Sequence, residues 1–248
     1  MNKINIVIPT YNEDKNILSL IKKIKHHIPN AQICIVDDSP EDKIKQILKN
    51  KKFKNIFYFH RKNSKGRGSA VIFGFKKLFK KKQKQIFIEM DADSSHNPSE
   101  LKKNIFLFKN TKSDLLIASR YLKKSKILNW PLSRRLFSKM SNILAQIVLR
   151  INVSDYTNGF RIYSSEATKL IINKCGKIGD GFIILSEILL AIHINKLKII
   201  ETPTVFINRI RGESSVNLRL VYQSFYGLIK LFLIRNKYLI KKTKFKLL

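Results

Sequence analysis

Two cysteines in 248 residues leave this chain without a disulfide framework. Cys34 stands in an apolar run and reads as a buried thiol, which suits a reducing cytosol. Glycine (9) and proline (6) are sparse, and no low-complexity linker or internal repeat interrupts the chain. Nothing at the start has the form of a secretory leader: Met1 to Pro9 reads as a short strand, with no long apolar stretch behind a basic start. Acidic residues are also few, 17 against 49 Lys and Arg, so the net charge is +32. That charge invites a nucleic-acid partner. The lysines, however, are spread over nearly every segment. The densest run, Lys76 to Lys84, sits where a helix ends and a strand approaches, so no specific nucleic acid is expected. An anionic membrane surface gains more from such a chain, at about 1 kcal/mol for each Lys or Arg beside it. Hydrophobic residues make up 44%, which excludes disorder and supplies a core for one large domain or one domain with an appendage.

Apolar periodicity predicts an α/β fold. Ile4 to Ile8 and Ile33 to Val36 are compact strand runs, and Ile17, Leu20, Ile21 and Ile24 between them recur at helical spacing. Strands are likewise predicted over Ile56 to Phe59, Ile86 to Met90 and Leu115 to Ala118. Helices are predicted around Ile44 to Leu48, over Ala70 to Phe79 and around Leu101 to Phe108. Further on come an amphipathic helix over Leu132 to Leu149, a loop from Asp155 to Arg161, a helix over Phe182 to Ile194, and extended chain over Ile199 to Ile207. Leu218 to Ile240 is apolar but broken by Arg219, Gln223, Lys230, Arg235 and Lys237, which is too polar for a membrane span of about 20 residues. Two readings stand for it: a helix lying in the membrane interface, or one packed on the core. Polar residues gather after the carboxyl ends of the strands, where open α/β sheets bind ligands.

Glu89-Met90-Asp91-Ala92-Asp93 is the sharpest of these clusters. Buried carboxylates need a cation or hydrogen bonds in compensation. At a strand's exit, Asp91 and Asp93 both face a bound ion, and hard oxygen ligands suit Mg2+ or Mn2+. The alternative is an acid pair leading into the helix that begins near Asn97-Pro98-Ser99-Glu100.

The clusters fall in a recognisable order. They are I-V-I-P-T-Y-N-E (Ile6 to Glu13), V-D-D-S-P (Val36 to Pro40), K-G-R-G-S-A (Lys65 to Ala70), E-M-D-A-D-S-S-H-N-P (Glu89 to Pro98), A-S-R-Y (Ala118 to Tyr121), D-Y-T-N-G-F-R (Asp155 to Arg161) and F-I-N-R-I-R-G-E-S-S (Phe206 to Ser215). Together they resemble the family 2 glycosyltransferases of GT-A fold, in the dolichyl-phosphate mannosyltransferase branch, over about residues 4 to 216. The resemblance implies a Rossmann-like, mostly parallel sheet flanked by helices. It places a catalytic domain over 1–212 and a C-terminal amphipathic segment over 213–248. Pro9, Tyr11, Glu13 and Asp38, with Asp37 beside it, would meet the nucleoside, and Lys65, Gly66 and Arg67 the nucleotide sugar. Asp91 and Asp93 would hold the metal on the diphosphate, with Ser95 standing where the family places a third ligand. Arg120 would pair with phosphate, or else form a salt bridge with Asp114 or Asp155. Arg134, Arg161, Arg209, Arg211 and Ser214 would serve the two phosphorylated substrates, with Ser215 where relatives often carry Lys. Glu187 would lie near the donor sugar, or else be a partly buried acid paired with an Arg. His96 mainly shapes its turn.

The implied reaction moves a hexose, mannose from GDP-mannose first, to a polyprenyl phosphate with inversion. A phosphate monoester, with a second pKa near ~6, is already largely dianionic at neutral pH and needs no strong base. That suits many arginines and no evident catalytic histidine. Other donors (glucose, an N-acetylhexosamine) or a polysaccharide acceptor are the alternatives. A nucleic-acid-binding or degenerate partner subunit is the non-enzymatic one. The expected location is peripheral, on the cytoplasmic face of a membrane, held by Leu218 to Ile240 and the basic face or by a separate anchor protein.

Overall fold

The computed structural model describes residues 3–49, 53–62, 66–179, 181, 183–208 and 218–244. Its centre is a seven-stranded sheet. Six strands run parallel: β1 (Lys3–Thr10), β2 (Gln32–Asp37), β3 (Ile56–His60), β4 (Gln85–Glu89), β5 (Leu115–Ser119) and β8 (Ile199–Pro203). β7 (Arg161–Ser164) is wedged antiparallel between β4 and β5, giving the order β3-β2-β1-β4-β7-β5-β8. β6 (Lys126–Leu128) and β9 (Val205–Ile207) form a separate parallel pair.

Both faces of the sheet are covered, which is why its strands read as unbroken apolar runs. The period-2 alternation divides them between two cores. Ile6 and Ile8 of β1 join Ile33, Ile35, Ile86 and Ile88 under α1 (Asp14–His27), α2 (Lys43–Lys49) and α4 (Leu101–Asn110). Val7 joins Cys34, Val36 and Phe87 under α3 (Arg67–Leu78), α6 (Ser165–Lys174) and α7 (Ile183–Ile194). In α1 the buried residues are Ile17, Leu20, Ile21 and Ile24, the stripe a sheet-covering helix needs. Burial pushes the Cys34 thiol up to about 12, so it stays protonated and inert.

α3 approaches β1 closely because it carries Gly74. A Cβ there would lie 2.5 Å from Val7 Cγ1. Gly74→Ala is therefore expected to cost about 1–3 kcal/mol by overpacking, read as a lowered denaturant midpoint at unchanged slope.

α5 (Leu132–Leu149) has the bounds its periodicity predicts, whereas β7 and α6 replace featureless chain after the 155–161 loop. The last helix, α8 (Leu218–Lys244), packs one face on the core and leaves apolar residues outside it. Leu228 and Leu231 are buried in the second core, while Tyr222, Phe225, Leu233 and Ile240 lie exposed. The boundary expected at 212/213 falls outside the described residues.

Candidate active site

The carboxyl ends of the parallel strands bring the polar clusters together. β1 delivers Pro9 to the edge, and the chain turns through Asn12 in the left-handed region (φ 57°), its N–H donating to Ser39 Oγ at 2.8 Å. Tyr11 is half exposed, and Glu13 accepts from Asn16 Nδ2 at 2.7 Å. β2 delivers Asp37 and Asp38, which play different parts. Asp37 is fully buried and accepts from Thr10, Ser39 and Tyr58 hydroxyls, so it holds the strand ends together. Asp38 receives a two-pronged Arg61 guanidinium at 2.7 and 2.6 Å and the Gly66 N–H at 3.1 Å. Arg61 also donates to Ser69 Oγ, so it ties β2's exit to the first turn of α3. Lys65 lies outside the described residues.

β4 delivers the acids. Ser94 in the left-handed region (φ 63°) folds the chain back, and the Ser95 N–H donates to Asp93 Oδ1 at 3.0 Å. His96 fixes this turn. Its Nδ1 accepts the Asp91 N–H at 3.1 Å, which leaves the proton on Nε2 to donate to Asn158 Oδ1 at 2.9 Å. The ring is buried, stacked on Phe160 at 5.3 Å and edge-on to Phe206 at 5.6 Å.

Arg67, expected against the nucleotide sugar, is laid across the acids. Nε and Nη2 reach Asp91 Oδ1 at 2.9 and 2.7 Å, and Nη1 reaches Glu89 Oε1 at 2.5 Å. The other Glu89 oxygen accepts the Tyr163 hydroxyl at 2.8 Å. Burial alone would lower the Arg67 pKa, but Asp91 and then Glu89 hold it above its ordinary value. A Cβ at Gly159 would collide with Arg67 Nη2, so the glycine opens the lane the guanidinium occupies.

The arginines separate in the same way. Arg120 is buried and clamped to Asp155, with Nε to Oδ2 and Nη2 to Oδ1 both at 2.8 Å, so the salt-bridge reading is realised with Asp155 and not Asp114. Burial opposes ionisation of Asp155, yet the Arg120 charge holds its carboxyl below the usual range. Arg120 lies over Tyr121, Trp130 and Phe206 at 5.3–5.5 Å, and Arg134 covers Trp130 at 4.4 Å while donating to Asn208 Oδ1 at 3.0 Å.

Two expectations are corrected. Arg161 is fully buried and directs its donors to the carbonyls of Asn158, Tyr156 and Leu185, so it braces the loop from inside instead of standing open in the cleft. Glu187 is buried and accepts the Gly176 and Lys177 N–H groups at 3.0 and 3.3 Å. It braces the 176–177 turn and pairs with no arginine among the described residues, and burial raises its pKa despite those donors. Arg209, Arg211 and Ser214 lie outside the described residues.

Arg61 and Trp130 belong to the site without having been singled out, while Glu89 and Asn158 were read only as members of their motifs. Arg61 was legible as a polar residue at a strand exit. Trp130 lies under Arg120 and Arg134, and Asn158 meets His96 62 positions away, roles that no local pattern announces.

A mostly parallel sheet with an acid pair and arginines gathered on its carboxyl edge is the arrangement of a GT-A glycosyltransferase. The likeness to solved structures agrees. The chain superposes on glucosyl-3-phosphoglycerate synthase from Mycobacterium tuberculosis, solved with UDP, with TM-score 0.64 at 16% identity, covering 94% of this chain and 80% of that one. That synthase has also been solved with Mn2+ and UDP-glucose. The chain belongs to glycosyl transferase family 2, whose model matches residues 5–171. It is 34% identical to a dolichol-phosphate mannosyltransferase of Pyrococcus furiosus over 89% of this chain, and spans 61% of that relative's length. It is 28% identical to an undecaprenyl-phosphate mannosyltransferase of Micrococcus luteus, over 85% of this chain and 86% of the relative. A polyprenol monophosphomannose synthase of Mycolicibacterium smegmatis is also 28% identical, over 86% and 80%.

Proposed function

We propose that this glycosyltransferase moves a hexose, mannose from GDP-mannose, onto a polyprenyl phosphate at a membrane surface. The observation that carries the reading is α5. It starts beside the cleft, where Tyr121 Oη donates to Ser138 Oγ at 2.7 Å and Arg134 covers Trp130. From there Leu132, Leu136, Met140, Ile143 and Ile147 run outward as an exposed stripe, 46–80% accessible. With the exposed apolar residues of α8 it forms a surface that a bilayer would cover and along which a prenyl chain would leave the cleft. Among the described residues no helix is long and apolar enough to cross a membrane. The names of the mannosyl-transferring relatives support the same substrate class.

The donor set fits a hard divalent cation. Asp91 and Asp93 are two carboxylates at one strand exit, and Ser95 Oγ is buried with no hydrogen-bond partner among the described residues. Mg2+ and Mn2+ are commonly held by one or two carboxylates plus substrate phosphates. Bound there, the ion would supply charge neutralisation at the leaving diphosphate. The chain's own residues do the rest. Arg120 spends Nε and Nη2 on Asp155, leaving Nη1 without a partner among the described residues, and this edge together with Arg134 would orient the acceptor phosphate. A phosphate oxygen attacks the anomeric carbon as its bond to the diphosphate oxygen breaks. Inversion follows, and no proton has to be removed.

The test supplies purified protein with Mg2+ or Mn2+, a panel of radiolabelled sugar nucleotides and a short polyprenyl phosphate. Chelator-sensitive counts should enter the organic phase from GDP-mannose. Counts from another donor alone would reassign the sugar. Absence of both transfer and donor binding by folded protein would remove the reading.

A further inference from the structure

A second basic site lies at the far end of α5. Between the carboxyl ends of α5 and α7 and the last turns of α8 is a cavity of about 440 Å³. Its floor is apolar, including Leu190 and Ile194, and Arg150, Lys196 and Arg235 stand around it with no acidic residue among its lining. Two of these cations occupy unusual backbone. The end of α7 is a Schellman turn, in which the Leu197 N–H donates to Ile192 O at 3.2 Å and the Lys196 N–H to His193 O at 3.0 Å. Glycine usually takes the left-handed position of that turn; here Lys196 takes it at φ 56°. Arg150 does the same at the end of α5, at φ 51°. Both left-handed caps therefore deliver a cation to one cavity. The wall is stapled by α8, with Tyr238 Oη donating to Ile194 O at 3.1 Å and Arg235 Nη1 to Val148 O at 3.2 Å.

The cavity is not part of the cleft. Arg150 lies sixteen residues beyond Arg134 on one helix, roughly 24 Å along its axis. Its lining continues along the chain into the exposed stripe: Ile147 stands three residues before Arg150 on α5 and Ile240 follows Leu239 on α8, both exposed. Cations over an apolar floor, opening at the edge of an apolar face, match a headgroup phosphate with its first acyl carbons. We propose that this cavity binds an anionic phospholipid of the bilayer, separately from donor and acceptor, so that α5 is held by phosphate at both ends. The inference rests on the membrane-facing reading of α5 and α8, not on the sugar transferred.

The full chain is titrated with dihexanoyl-phosphatidylglycerol below its micelle concentration, and with glycerol phosphate. It is also floated at physiological salt with vesicles of phosphatidylcholine alone or mixed with phosphatidylglycerol. Two double variants are compared: Arg150→Glu/Lys196→Glu in the cavity, and Lys22→Glu/Lys23→Glu on α1 across the sheet. The cavity pair should lose roughly tenfold or more of both the short-lipid affinity and the phosphatidylglycerol-dependent flotation. The α1 pair should change by less than about twofold, its charges being screened at that distance. Unchanged flotation on phosphatidylcholine and an unchanged melting temperature would show that the cavity pair remains folded. Equal losses in both pairs would reduce the effect to diffuse charge and overturn the site. Glycerol phosphate binding as tightly as the short lipid would overturn its assignment to lipid. Wild-type protein that takes the short lipid but floats with neither vesicle would keep the cavity and remove the membrane reading.

Discussion

Asp93→Asn is expected to lower kcat/KM for sugar transfer by at least about a hundredfold while leaving the fold intact. On the proposed reading Asp93 would be a carboxylate ligand of the cation that would neutralise the departing diphosphate, an effect worth several kcal/mol, and each 1.36 kcal/mol is about tenfold. The fold should survive because the asparagine oxygen still accepts the Ser95 N–H that shapes the turn. Asp91→Asn should differ in kind. Asp91 Oδ1 receives two Arg67 donors, so the variant keeps an acceptor there but loses the negative charge that pairs with Arg67, together with a proposed metal ligand. Glu89 remains on the other prong, and the partly exposed pair should cost about 1–3 kcal/mol. The pair of variants therefore separates roles that adjacency in sequence merges. Activity falls in both, but the melting temperature falls only in Asp91→Asn. Mn2+ affinity, measured by paramagnetic relaxation of water, should weaken in both without reference to turnover. Equal activity of Asp93→Asn and wild type would remove the metal from this site.

Why some of this was legible and some not follows from how each element is buried. β1, β2, β4 and β5 are covered on both faces, so each stands out as an apolar run ended by the polar residue that enters the cleft. β7 has four residues and begins with Arg161, and its place between β4 and β5 is set by pairing partners 44 or more positions away. No local period announces such a strand. Arg161 illustrates the same limit. A charge inside a loop reads as a ligand for phosphate, whereas here three carbonyls converge on it, one from Leu185 on α7. Glu187 sits among isoleucines and leucines on α7, and only the returning 176–177 turn shows what its carboxylate accepts. For α5 the period gave the helix but not its environment. An amphipathic stripe is the same pattern whether a core or a bilayer covers it, and only the packing shows which residues are left outside.

Asp155→Asn should be among the most destabilising substitutions in the molecule, by about 3–5 kcal/mol, because it leaves the buried Arg120 charge without its partner. For a chain of this size that corresponds to a melting temperature lower by roughly 10 °C. The pH dependence has a definite sign. The folded-state pKa of Asp155 is depressed, so its stabilisation is present above the unfolded value of about 3.9 and is lost as pH falls through the folded one. The variant lacks that component, so its stability should fall less steeply than wild type under acid. Arg120→Met/Asp155→Asn then separates structure from chemistry. The unpaired buried charge is removed while the asparagine oxygen can still accept the backbone N–H groups of Thr157 and Asn158, so the double variant should recover much of the stability lost in Asp155→Asn alone. Transfer should nevertheless stay at least about tenfold down, since the guanidinium edge left open by Asp155 is gone from the cleft. Recovery of both stability and transfer in the double variant would confine Arg120 to a structural role and leave the acceptor phosphate to Arg134.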